Sequence, residues 1–74
     1  MIINLGHPAH PKAEILKVDF RANQVDFRWL NEDESPSEIY PGDCVLSVDL
    51  SETTSALEVE TAIQAAFAEQ LKAE

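Results

Sequence analysis

Three groups of residues in this chain have side chains able to do chemistry. The first is His7 and His10, in the run GHPAHP over residues 6–11. Two histidines three apart would share one face of a helix and could begin a metal site. Two prolines in six residues forbid that helix, so the run reads as a loop. A zinc site needs three or four ligands, and the rest would have to come from elsewhere. The expectation is two exposed loop histidines, with no metal and no cofactor. The second is Cys44, the single cysteine. With either histidine it would form a nucleophile–base pair. It stands at the inward-facing start of an alternating run, however, and cysteine is among the most often buried residue types. A core cysteine is the expectation.

The third group is acidic. Glu32, Asp33, Glu34 and Glu38 lie in NEDESPSEIYPGD, residues 31–43. In a flexible, solvated loop nothing sets one carboxyl pKa against another, as acid–base catalysis needs. The spacing also lacks the alternate acids and central glycine of a calcium loop. Only Gly6 and Gly42 are present, so there is no glycine-rich phosphate loop. No set of nucleophile, base and electrophile can be assembled from these residues, and the protein is expected not to be an enzyme.

Function is therefore sought on surfaces. Trp29, Leu30, Ile39 and Tyr40 flank the acidic loop, and Trp and Tyr are enriched among interface hot spots. The candidate partner-binding set is Trp29, Glu32, Asp33, Glu34, Glu38 and Tyr40. The competing reading has Trp29 capping the core and Tyr40 packing beneath the loop. A mixed-charge strip of Lys17, Asp19, Arg21, Asp26 and Arg28 reads as cross-strand pairing rather than a binding face.

The elements that must position these residues follow from periodicity. Met1–Leu5 is an apolar run and a plausible strand. Leu16, Val18 and Phe20 alternate with polar residues, as do Val25, Phe27 and Trp29, on either side of Ala22-Asn23-Gln24. This is a β-hairpin, with Asn23 the turn residue most tolerant of positive φ. The tetrapeptide VDFR occurs in both arms, at 18–21 and 25–28. A two-residue Asn23-Gln24 loop would set Asp19 opposite Arg28, Arg21 opposite Asp26, Phe20 opposite Phe27 and Val18 opposite Trp29. The alternative two-residue loop, Ala22-Asn23, would oppose Asp19 with Asp26 and Lys17 with Arg28. At about 0.2–1 kcal/mol per pair, the first register is favoured, and the duplication reads as a register lock.

Pro41-Gly42 suits a type II turn. Cys44, Leu46, Val48 and Leu50 share one face of a further strand. Ser55-Ala-Leu-Glu58 is a capping box opening a helix whose stripe is Val59, Ile63, Ala66, Phe67 and Leu71. The fold class is α+β. A small antiparallel sheet (central hairpin about 13–31, further strands about 1–5 and 44–50) is covered on one face by a C-terminal helix, about 56–72.

The chain has 74 residues and reads as a single α+β domain. One cysteine allows no internal disulfide, so a homodimer or other homo-oligomer is an alternative source of stability. No apolar run approaches the ~20 residues of a membrane span. MIINLGHPAH has no basic region before a long apolar stretch, so no signal peptide is expected and a cytoplasmic setting fits. The net charge is −9 and is unevenly spread. Residues 1–28 hold four basic residues against three acidic ones, while residues 29–74 hold eleven acidic residues and only Lys72. Such a surface repels phosphates and disfavours direct nucleic-acid binding, and it suits a basic protein partner.

In size and acidity the chain is similar to small phage or mobile-element accessory proteins, a resemblance that carries no motif and transfers no residue. The leading expectation is a non-enzymatic protein-binding module, inhibitor or adaptor acting on a basic surface. The alternatives are a nucleic-acid-mimicking inhibitor and a small homo-oligomeric assembly component.

Overall fold

A computed structural model describes residues 1–72 of the chain. Four strands, β1 (Ile2–Asn4), β2 (Lys12–Asp19), β3 (Gln24–Leu30) and β4 (Asp43–Ser47), precede one helix, α1 (Ala56–Lys72). The strands form one antiparallel sheet in the order β1-β2-β3-β4, and α1 packs on one face. This is the α+β arrangement that the alternating strands and the C-terminal 3.6-residue stripe require.

The inner face of β3 is Val25, Phe27 and Trp29, all buried as their alternation predicts. Leu46, Val48 and Leu50 continue that layer, although pairing of β4 ends at Ser47. Val59, Ile63 and Phe67 of α1 close over it, with Ala62, Ala66 and Leu71 half-buried alongside. The small alanines let the helix backbone approach the sheet. Phe67 meets Phe27 edge to face at 4.9 Å and 87°. Such a pair is worth about 0.5–1.5 kcal/mol beyond its buried area.

The hairpin register is not the one expected. Glu14 lies opposite Arg28 and Ile15 opposite Phe27; past an irregularity at Leu16, Lys17 faces Asp26, Val18 faces Val25 and Asp19 faces Gln24. The extra residue is a β-bulge, which shifts the alternation by one. Ala13 and Ile15 point inward before it, Val18 packs partly inward after it, and Leu16 is left exposed. Phe20 falls in the turn and is 57% exposed instead of pairing with Phe27. The register-lock reading of the VDFR duplication is thus overturned.

The reason lies beyond the hairpin. Lys12, Ala13 and Glu14 also carry β1 on their other side. In the expected register these three residues would run past the end of β3 and lose their ladder there. A two-residue loop at Asn23-Gln24 would further demand positive φ without glycine. The four-residue turn actually formed needs it only at Asn23, where φ is 52°. Asp19 Oδ1 accepts from the amides of Arg21 and Ala22 and supports the turn. Opposite charges still face each other, with other partners than those expected. Arg28 reaches Asp43 at 3.3 Å and Glu14 at 3.9 Å across the outer face.

Two interactions fix the route from β4 into the helix. Val48 N–H donates to the Asn23 carbonyl at 2.9 Å, and Leu50 N–H donates to Asn23 Oδ1 at 3.0 Å. At the helix start the Ser55 hydroxyl accepts from Glu58 N–H at 3.2 Å, as the capping box predicts. The return bond is displaced by one residue, because the Glu58 carboxylate accepts from the Thr54 amide at 2.7 Å rather than from Ser55.

Candidate functional site

The acidic segment leaves the end of β3 and doubles back at once. Asn31 N–H donates to Ser35 O at 2.8 Å and Glu34 N–H to Asn31 O at 2.9 Å, while Leu30 and Pro36 form an isolated bridge. Glu34 takes a φ of 69°. A tight turn closed by one left-handed residue is a common short hairpin loop. The Asn31 side chain braces it from inside, donating to Ser35 Oγ at 3.0 Å and Pro36 O at 3.2 Å. Ser37 N–H then donates to Trp29 O at 3.0 Å. Glu32, Asp33 and Glu34 therefore stand on a hydrogen-bonded turn, where the sequence suggested an unstructured loop.

Two of these carboxylates have defined partners. Glu34 accepts from Lys12 Nζ at 3.2 Å. Asp33 accepts from the Ser35 hydroxyl and amide, and these two bonds hold its carboxyl below the ordinary value of 3.8. Past Pro36 the chain exposes Glu38, Ile39 and Tyr40. Ile39 is 80% exposed and Tyr40 43%. Tyr40 N–H donates to Ser37 Oγ at 3.1 Å, which fixes this second bend. A cavity of about 150 Å³ lies between the segment and the end of the sheet, lined by Arg28, Trp29, Pro36, Ser37 and Asp43 among others.

Sequence-predicted site residues separate into two layers. Glu32, Asp33, Glu34 and Glu38 are exterior, and Tyr40 is half exposed. Trp29 is 8% exposed and belongs to the core, so it offers a partner little surface. What joins Trp29 to Tyr40 is His10. Its ring stacks on Trp29 at 4.0 Å and 29°, and Tyr40 lies against it at 4.7 Å. Trp29 in turn meets Phe27 at 4.8 Å. A continuous aromatic column thus runs from the surface at Tyr40 into the core.

The expectation of exposed histidines is corrected here, since His10 is 5% exposed and His7 half-buried. His7 Nδ1 accepts from the amides of Ala9 and His10 and shapes the loop between β1 and β2. Among the described residues no three His, Cys, Asp or Glu side chains converge as metal ligands. Cys44 sits opposite Phe27 and packs half-buried against the core.

Exposed apolar side chains that sequence reasoning missed include Ile39, Phe20 and Leu57. In sequence Ile39 reads only as flanking the loop, and Phe20 reads as a core residue. Leu57, 72% exposed, was not singled out. Its signal was present, because two residues before Val59 lies about 200° around the helix from the buried stripe. No known family matches the chain, and no curated protein or solved structure matches it.

Proposed function

We propose that this chain is a small non-enzymatic protein-binding module of a cytoplasmic setting, an inhibitor or adaptor that presents its acidic segment to a basic protein surface. The observation that carries the reading is the pre-formed segment itself. Glu32, Asp33, Glu34 and Glu38 are exposed beside Ile39 and Tyr40 on a backbone already held by its own hydrogen bonds. A binding element ordered in advance avoids much of the conformational entropy cost of association. Carboxylates at the rim steer a basic partner, while Ile39 and the exposed side of Tyr40 supply apolar contact. Trp29 serves this surface from behind, by seating His10 and through it Tyr40.

The test is capture of partners from the source cell with the wild-type chain and with Glu32→Gln/Asp33→Asn/Glu34→Gln. The expected complex weakens with added salt and weakens again in the triple variant. A complex equally strong with both chains refutes the reading. Displacement of the partner by duplex DNA would instead favour nucleic-acid mimicry.

A further inference from the structure

A second surface lies at the other end of the sheet. The β2–β3 turn and the acidic segment flank opposite ends of β3, and α1 begins at the turn end, where Asn23 holds Val48 and Leu50. Two adjoining concavities open there on either side of Thr53. One lies between Phe20 and the start of the helix, and is floored by Ala56 and Val59. The other, of about 490 Å³, runs along α1 past Leu57, Thr61 and Ala65, and is bounded by Asp49 and Glu52. Phe20, on the first concavity, and Leu57, on the second, are large apolar side chains left in water, 57% and 72% exposed.

The shape and charge of the second concavity specify an occupant. Leu57, Thr61 and Ala65 recur every four residues along one helix row, about 12 Å in length at 1.5 Å per residue. Beyond Leu57 the row is small, which lets the side-chain ridge of a second helix settle into it. Asp49 is held ionised by hydrogen bonds from the Ser51 hydroxyl and amide, which lower its pKa. Glu52 is exposed beside it. Among the described residues, no lysine or arginine lines either concavity. A second copy of the chain is a poor fit, because it brings the same net charge of −9. We propose that the groove along Leu57, Thr61 and Ala65 docks a basic amphipathic helix of a partner protein. Two turns of apolar residues at i, i+3, i+4 and i+7 lie over the Leu57 row, and flanking Lys or Arg meet Asp49 and Glu52. This surface is separate from the acidic segment and stands whether or not that segment binds.

The probe is a synthetic helical peptide of Leu and Lys at heptad spacing, with a scrambled peptide of equal composition as its control. Amide chemical shifts of the labelled chain are expected to move at Glu52, Thr53, Leu57 and Ala65 on adding the ordered peptide. Leu57→Ser should weaken binding about tenfold, the loss of one buried aliphatic contact. Because Leu57 is exposed, that variant is expected to keep the wild-type fold, checked by its own spectrum. Glu52→Lys should weaken binding further at low salt, and Glu32→Gln/Asp33→Asn/Glu34→Gln should leave it within twofold. Equal binding of the scrambled peptide, unchanged affinity in Leu57→Ser, or shifts confined to residues 31–42 would each overturn the proposal.

Discussion

Asn23 carries the joint between the hairpin turn and the approach to the helix, and its replacement separates two physical effects. The residue holds a left-handed backbone, with φ of 52°, and its Oδ1 accepts from the amide of the buried Leu50 at 3.0 Å. Asn23→Ala removes the acceptor and places a Cβ-bearing residue without local hydrogen bonding in the left-handed region. An unpaired, partly buried amide costs about 1–3 kcal/mol. The left-handed conformation costs an ordinary residue about 1–2 kcal/mol, part of which Asn already bears. The expected loss is about 2–4 kcal/mol, set against a total stability of roughly 3–5 kcal/mol for a chain this size. Asn23→Gly removes the same acceptor but relieves the backbone, so it should be about 1 kcal/mol more stable than the alanine variant. Urea unfolding followed by far-ultraviolet circular dichroism measures both. Amide exchange at Leu50 should accelerate in both variants. Equal stabilities for alanine and glycine would refute the backbone argument, and unchanged exchange at Leu50 would refute the side-chain bond.

The two VDFR phenylalanines should behave oppositely. Phe27→Ala is expected to cost about 3–5 kcal/mol, as a buried aromatic does, and Phe20→Ala to stay within about 0.5 kcal/mol in the same unfolding assay. Comparable losses would mean that the bulged register is wrong. Ser35→Ala should raise the Asp33 pKa toward 3.8 while leaving Asp49 unmoved, read by carboxyl-carbon NMR titration. Both folded values lie below the ordinary one, so the stability these aspartates contribute is fully present above pH 3.8. It fades as pH falls through the lowered values. A Ser35→Ala chain with an unshifted Asp33 titration would contradict the assigned cause.

Much of the fold is legible in the sequence because one-sided burial imposes a period. Val25, Phe27 and Trp29 read as an inner face, and Val59, Ile63 and Phe67 as a helical stripe. Asn23 reads as the turn. The register was not legible, since it depends on β1 claiming Lys12–Glu14, a contact outside the hairpin. A local comparison of pair energies favours Phe20 opposite Phe27 and has no means of counting the ladder that choice would forfeit. The bulge at Leu16 hides itself further, because LKVDF alternates well on its own. At the candidate site, composition identifies the acids and Tyr40 as surface residues. It gives no sign that His10 lies between Tyr40 and Trp29. That stack joins three segments distant in sequence, and only the closed sheet brings them together.

The sheet order also has a consequence for assembly of the fold. Every strand pairs with its neighbour in sequence, so the sheet is a meander that can zip one hairpin at a time. The helix follows all four strands, and until it docks the inner faces of β2, β3 and β4 remain wetted. During synthesis from the N-terminus, Phe27 and Trp29 would wait for Phe67. The interval in which the open sheet is sticky is thus set by how soon α1 follows β4, and the Asn23 bonds to Val48 and Leu50 fix the direction in which the chain leaves the sheet for that closure.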